Sequence, residues 1–201
     1  DNGGSGAEVG VGANGEFIIS NCLFYKNGGH GVHIRNTRNV TGAIGYKILS
    51  CTIDGNTSDG IRHEVSSNNN PTQIVNTVIS NNGGYGTNLF ANGAQSQYLT
   101  NCCFYNNSLG HFSDSLTVSD FPVSENVTEA TDPAFTSRTA SAEDYEPASG
   151  SGLLNAGIPG TPGLTGGTGY MDIGAMQRQQ AAGGGSGGGV KLAGPGGGIA
   201  G

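Results

Sequence analysis

Apolar side chains in the first half of the chain recur in short blocks, not at helical spacing. Four stretches align: "ISNCLFYKN" at 19–27, "ILSCTIDGN" at 48–56, "IVNTVISNN" at 74–82 and "LTNCCFYNN" at 99–107, offset by 29, 26 and 25 residues. An aliphatic column opens each stretch (Ile19, Ile48, Ile74, Leu99). A polar column follows two places on (Asn21, Ser50, Asn76, Asn101), then a small one (Cys22, Cys51, Thr77, Cys102) and a large one (Phe24, Ile53, Ile79, Phe104). Each stretch closes on Asn27, Asn56, Asn82 or Asn107, and a glycine comes next at Gly31, Gly60, Gly86 and Gly110.

Alternating small and large apolar residues predict strands with one buried face. The aliphatic column lies three places before the small one, which breaks strict alternation. A bend at Asn21, Ser50, Asn76 and Asn101 lets both point inward, and Asn suits such a bend because it tolerates left-handed dihedrals. The glycines are predicted to turn at positive φ. Short strands follow at 32–34, 61–63 and 87–89. Each repeat of about 25 residues is then one coil of an all-β parallel solenoid. Residues of one column stack at strand spacing, about 4.8 Å. Asn27, Asn56, Asn82 and Asn107 are expected inside, hydrogen-bonded up a ladder that satisfies buried amides.

With these columns, residues 1–113 resemble the right-handed parallel β-helix repeat proteins of the pectate-lyase-like superfamily, which share inward Asn ladders. The opening "DNGGSGAEV" aligns with "KNGGHGVHI": Asn2 takes the Asn27 place, Gly6 that of Gly31 and Val9 that of Ile34. The sequence thus enters part-way round a coil. The front of that coil is expected either upstream in a longer protein or from a neighbouring chain, because a bare solenoid end exposes strand edges and core.

After Ser113 the repeat becomes illegible. Residues 114–177 resemble the closing segment of secreted bacterial β-helix proteins through Asp132, Pro133 and Phe135, Asp144 and Tyr145, Asn155-Ala156-Gly157, and Asp172-Ile173-Gly174-Ala175. The departures are "SGLL" for Ser-Pro-Ala-Ile, and Met176-Gln177 for an aromatic and Glu. The resemblance implies a last, irregular coil that caps the solenoid. Residues 178–201 form a Gly-rich tail of linker composition. Val190, Leu192 and Ile199 are its expected assembly contacts, docked on a partner chain, most simply another copy.

Composition supports this picture. Glycine makes up 38 of 201 residues, which argues against helices, since each helical Gly costs about 1 kcal/mol relative to Ala. No apolar run approaches the ~20 residues of a membrane span. The net charge of −7 with only eight Lys and Arg argues against a nucleic-acid partner, which clustered basic residues would hold. "GAIG" and "GGGSGGG" lack the strand–Gly–helix setting of a phosphate loop.

Enzymes of the resembled superfamily act on polysaccharides through outward side chains of one sheet. Here the outward positions after the glycines are Glu8, His33, Arg62, Asn88 and about Phe112. Glu8, His33 and Arg62 stack coil by coil and are the best catalytic-looking or glycan-binding group. The simpler reading is a surface polar ladder, because no carboxylate pair sits there. Tyr25 and Tyr105 share an outward column with Asp54 and Ser80 between them, and are candidates for contact with sugar rings. The Cys column (Cys22, Cys51, Cys102) reads as small apolar filler. A Cys22–Cys51 disulfide between adjacent coils is the alternative, and zinc lacks a His in that column. Cys102 and Cys103 should face opposite ways on one strand. The sequons at Asn39, Asn56, Asn106 and Asn126 read as chance, Asn56 being an interior ladder position.

These observations predict a non-catalytic extracellular structural or adhesive solenoid without metal or cofactor. It would belong to a cell-surface filament or a virion fibre, spike or decoration, and assemble as a homo-oligomer or polymer through coil ends and tail. The alternative is a polysaccharide-binding or polysaccharide-cleaving module of a larger secreted protein.

Overall fold

A computed structural model describes residues 3–10, 16–36, 45–65, 72–89, 97–154, 156–157 and 173–175. They form a right-handed parallel β-solenoid built on two stacks of strands. Sheet A is β1 (Ala7–Gly10), β4 (Val32–Asn36), β7 (Ile61–Val65) and β10 (Thr87–Leu89), parallel and in that order. Sheet B has two halves joined at a corner. Its first half runs through β2 (Glu16–Ser20), β5 (Gly45–Leu49), β8 (Thr72–Val75) and the start of β11 (Gln97–Tyr105). Its second half runs through β3 (Leu23–Tyr25), β6 (Thr52–Asp54), β9 (Val78–Ser80) and the end of β11. The register pairs Ile19 with Ile48, Ile48 with Ile74 and Ile74 with Leu99. It likewise pairs Phe24 with Ile53, Ile53 with Ile79 and Ile79 with Phe104.

The corner between the halves is made by left-handed residues: Asn21, Ser50, Asn76 and Asn101 have φ of 53°, 50°, 54° and 52°. A second left-handed column, Lys26, Gly55, Asn81 and Asn106, turns the chain out of the sheet. This column mixes Lys, Gly and Asn, so it carries no single residue signature in the sequence.

Immediately beyond lies the ladder. Asn27, Asn56 and Asn82 each donate from Nδ2 to Oδ1 of the next Asn, at 2.7, 2.9 and 2.9 Å. The same Oδ1 atoms accept the backbone N–H of the preceding Asn at 3.1 Å. The second Nδ2 proton of Asn56, Asn82 and Asn107 goes back to the carbonyls of Phe24, Ile53 and Ile79. Asn2 lies outside the described residues.

The Gly column differs from its prediction in cause and in place. None of Gly31, Gly60 and Gly86 has a left-handed φ; Gly110 does. What requires glycine is the next coil. A Cβ on Gly60 would sit 2.6 Å from Ile79 Cγ2, 2.7 Å from the Gly86 carbonyl and 2.9 Å from Asn82 Nδ2. Backbone bonding places His111, not Gly110, below Gly86, because Ile61 N–H donates to Gly86 O and Thr87 N–H to His111 O. A side chain fits there because no further coil presses on that position.

The same register moves Phe112 inside. It bridges Thr87, an inward position, and is buried; it is not an outward site residue. Phe104, Phe112 and Phe121 stack at ring distances of 4.8 Å, with Leu116, Val118 and Val127 around them. These residues cover the C-terminal end of the core.

Parallel pairing also runs past Ser113. β12 (Val123–Thr128) lies on β11, with Leu99 opposite Ser124 and Cys102 opposite Val127. Asn126, with φ 52°, continues the corner column. Ser124 in the aliphatic column hides this rung from sequence reading. Beyond it, β13 (Phe135–Ser137) and β14 (Asp144–Pro147) pair antiparallel. Of the expected closing segment 114–177, the part with Leu116, Val118, Phe121 and Val127 packs on the end of the core. The part from Phe135 on lies along the flank, where Phe135, Tyr145, Leu153 and Ile173 form a second apolar cluster on the outward side chains of Leu23, Val78 and Cys103. Asn155, Asp172, Val190, Leu192 and Ile199 lie outside the described residues.

Candidate functional site

The outer face of sheet A gathers the most chemistry-bearing side chains. Glu8, His33, Arg62 and Asn88 share one outward column, set by the in-register pairing of β1, β4, β7 and β10. Two places on, Arg35 pairs with Glu64 as the next outward column. The turn before each strand adds His30 and Asp59. The sequence alone yields the column Glu8, His33, Arg62 and Asn88. Extending the alternation by two residues would have found Arg35 and Glu64, and the position before each glycine would have found His30 and Asp59.

These groups neutralise one another. Arg35 donates to Glu8 Oε1 at 2.8 Å, which holds the Glu8 carboxyl below its ordinary range. Arg62 Nε donates to Glu64 Oε1 at 3.0 Å, and His33 Nε2 lies 3.3 Å from Glu64 Oε2. Desolvation pushes the Glu64 carboxyl up, and the bonds from Arg62 and His33 more than reverse it, leaving it lowered. Asp59 is buried. Its Oδ1 accepts Tyr85 N–H at 2.8 Å and its Oδ2 accepts Asn88 Nδ2 at 2.9 Å, with Arg62 at 3.5 Å. His30 Nδ1 accepts the Asp59 N–H at 3.1 Å, and burial lowers the His30 pKa against the opposing pull of the Asp59 charge. The His30 and His33 rings meet edge-on at 5.0 Å.

His63 points the other way. It shares a register position with inward Ile34, is buried, and packs edge-on against Tyr46 at 5.6 Å. Desolvation drives its pKa down to about 4.

Between the two tyrosines the column is closed, although Tyr25 itself is 40 % exposed. Asp54 and Ser80 are buried beneath the flanking segment. Asp54 accepts Ser80 Oγ at 2.6 Å, Asn81 Nδ2 at 2.8 Å and Tyr145 Oη at 3.2 Å. Tyr25 packs on Tyr145 at 5.2 Å, and Lys26 reaches Glu143 at 2.6 Å. Burial and the Asp54 charge raise the Tyr145 pKa. The column therefore anchors the segment, and the carboxylate at Asp54 is its polar centre.

The cysteines are free thiols. Burial pushes Cys51 and Cys102 up to about 12, which disfavours the thiolate needed for metal binding or exchange. They are more than filler. Cys22 Sγ, Cys51 Sγ and Thr77 Oγ1 donate to the carbonyls two residues back, Ser20, Leu49 and Val75, at 3.1, 3.3 and 2.9 Å, and Cys102 Sγ lies between Thr100 O at 3.3 Å and Ile74 O at 3.2 Å. A donor on a small side chain is what the column shares, which is why Thr77 replaces Cys. Cys103 faces outward, under the flanking segment. Among the described residues no group of three or more His, Cys, Asp and Glu is arranged to hold a metal ion, and no helix is long and apolar enough to cross a membrane. Of the sequons, Asn56 is buried, Asn106 and Asn126 are exposed, and Asn39 lies outside the described residues.

Fold and face together define a β-solenoid with a self-paired charged ladder on one side. Residues 1–128 match the family model described as right handed beta helix region, and the chain belongs to that family. No curated protein and no solved structure gives a significant match to it.

Proposed function

We propose that the chain is a non-catalytic structural or adhesive solenoid of an extracellular assembly, a surface filament or a virion fibre, spike or decoration. One observation carries this reading: the carboxylates on the sheet A face are already engaged. Glu8 is held by Arg35, Glu64 by Arg62 and His33, and Asp59 by Tyr85 N–H, Asn88 and Arg62. Lyase chemistry would need clustered carboxylates open to Ca²⁺. Hydrolysis would need a pair whose environments split their pKa values, one kept protonated as the acid. Glu8 and Glu64 are both shifted down, toward the ionised form. The test is incubation with polygalacturonate and alginate, with and without Ca²⁺. No release of unsaturated or reducing ends is expected; Ca²⁺-dependent cleavage that disappears in Arg62→Ala would overturn the reading.

A second reading rests on the row of Asp59, Asn88, His33 and Arg62. Acceptors and donors repeat there at coil spacing, as a polysaccharide strand lying across the coils would require. Retardation of the protein in polysaccharide-containing gels, lost in Asn88→Ala, would favour this binding role over a purely structural one.

A further inference from the structure

His30 stands between two hydrogen-bonding arrangements. Its Nδ1 accepts the Asp59 N–H at 3.1 Å and also lies 3.4 Å from Asp59 Oδ2. A ring nitrogen that accepts carries no proton, so the resting imidazole is neutral, with its hydrogen on Nε2. Protonation at Nδ1 ends the first arrangement, because an N–H cannot accept another N–H. The second is at hand: the new Nδ1–H faces Oδ2, and the bond is charge-assisted.

Asp59 Oδ2 is already in use. It accepts Asn88 Nδ2 at 2.9 Å and lies 3.5 Å from Arg62, while Oδ1 holds the Tyr85 N–H at 2.8 Å. A carboxylate oxygen takes about two donors, so an imidazolium arriving at Oδ2 competes directly with Asn88 and Arg62. Three successive coils meet here, about 4.8 Å apart: His30 on one, Asp59 and Arg62 on the next, Asn88 on the one after. The charge balance moves with the proton. Glu8, Asp59 and Glu64 stand against Arg35 and Arg62, one carboxylate in excess, and the imidazolium cancels that excess. The other ionisable groups facing His30 are His33, edge-on at 5.0 Å, and Glu64 beyond it. Gly4 and Ser5, on the turn of the coil before, carry no charge. Burial lowers the His30 pKa against the pull of the Asp59 charge. The face therefore rests in its closed arrangement at neutral pH and changes in mild acid.

We propose that the outer face of sheet A is an acid-gated anion site: protonation of His30 draws Asp59 Oδ2 from Asn88 and Arg62 and leaves these donors, beside the imidazolium, for the anionic groups of a polyanionic glycan. The inference rests on the glycan-binding reading of this face and adds its regulation and the charge of its ligand. At neutral pH the same donors are tied to Asp59, and an anionic chain finds them engaged.

Two measurements on the full chain test it. Without ligand, nitrogen–proton NMR spectra follow the Asn88 side-chain amide and the His30 ring from pH 7.5 to 5. The Asn88 amide should shift with the midpoint of the His30 ring. His30→Gln, whose side-chain oxygen still accepts the Asp59 N–H, should abolish that shift. A shift that persists in His30→Gln, or no shift in the wild type, overturns the gate whatever the ligand. Affinity is then measured at both pH values and one ionic strength for dextran sulfate, polygalacturonate and neutral dextran. The wild type should bind the polyanions about tenfold tighter at pH 5, and His30→Gln and Asn88→Ala should each lose most of that gain. Comparison of the two polyanions tells sulfate from carboxylate. An equal gain in His30→Gln would trace it to general charging of the protein and overturn the proposal. Binding of neutral dextran at both pH values, without a gain for the polyanions, would refute the anion site and keep the glycan reading. No binding of any of the three would remove both.

Discussion

Replacing Asn56 by Leu tests the ladder most directly. Asn56 Oδ1 accepts two donors, the Asn27 N–H at 3.1 Å and Asn27 Nδ2 at 2.7 Å. Its Nδ2 donates to Asn82 Oδ1 and Phe24 O. Leucine leaves both Asn27 donors without that acceptor in a buried setting. Each orphaned group costs about 1–3 kcal/mol, so the pair costs about 2–6 kcal/mol. The acceptors suffer less, because Asn82 Oδ1 keeps the Asn56 N–H. Burying the leucine returns about 1.5–3 kcal/mol. The net expectation is a loss of about 2 kcal/mol. Asn27→Leu supplies the control: it removes the Nδ2 donor, but Asn56 Oδ1 retains the residue 27 N–H, and no donor among the described residues is orphaned. Urea unfolding followed by circular dichroism at pH 7 should therefore rank Asn56→Leu, and Asn82→Leu with it, below Asn27→Leu. If Asn27→Leu proves as damaging as Asn56→Leu, the stabilisation is not located in the stacked amides and the reasoning fails.

Further outcomes follow from the same contacts. Gly60→Ala should lose about 1–3 kcal/mol or more through overpacking against backbone and core, whereas Gly10→Ala, whose Cβ meets nothing within 4 Å, should be nearly neutral; paired urea midpoints check both. Burial holds the His63 pKa at about 4 in the folded chain, against the ordinary histidine value of 6.5. The unfolded chain therefore binds the extra proton, and stability should fall as pH drops from 6.5 to 4 by about 3 kcal/mol, at 1.36 kcal/mol per unit. His63→Leu, matching the Ile34 and Leu89 positions, should flatten that slope in unfolding measured across pH. Tyr145→Phe removes the 3.2 Å hydrogen bond to buried Asp54 and should cost about 1–3 kcal/mol, read as faster proteolysis within 133–154 with little change in the coils.

The coil was legible because stacking forces one residue type into each column. Ile, Cys or Thr, Phe or Ile, and Asn recur where every coil meets the same neighbours, and the left-handed corner at Asn21, Asn76 and Asn101 could be deduced from broken alternation. The glycines were legible as residues but not as a cause. Positive φ and steric exclusion leave the same letter, and only the 2.6–2.9 Å approaches at Gly60 separate them. The flanking segment was illegible for a different reason. Its site is made by outward Leu23, Val78 and Cys103, and an outward apolar residue reads like any other exposed position until something covers it. The sheet A pairs were half legible. Glu8, His33 and Arg62 appeared as a column, but Asp59 and Glu64, which settle its charge balance, come from a turn and from the far end of the strand.

What ends the solenoid is visible in the same columns. Each interior coil presents a glycine so that the next coil can press its Asn amide and large apolar residue against bare backbone. His111 stands at that position in the last full coil, with its ring 6.0 Å from Phe104 and its Nε2 2.8 Å from Glu129 O. A following coil of the same design could not approach an imidazole there. Phe112 then fills the inward position held by Val32, Ile61 and Thr87 in earlier coils, and Phe121 stacks on it instead of another rung's strand. β12 continues only on sheet B, and sheet A stops at the isolated bridge from Thr87 to Phe112. Termination is thus written as a glycine replaced by a side chain, followed by an aromatic whose next neighbour is Phe121 and not a strand of sheet A. Gly6, by contrast, stands in the glycine column with its would-be Cβ 2.7 Å from the Gly31 carbonyl, pressed by the coil after it as in an interior coil.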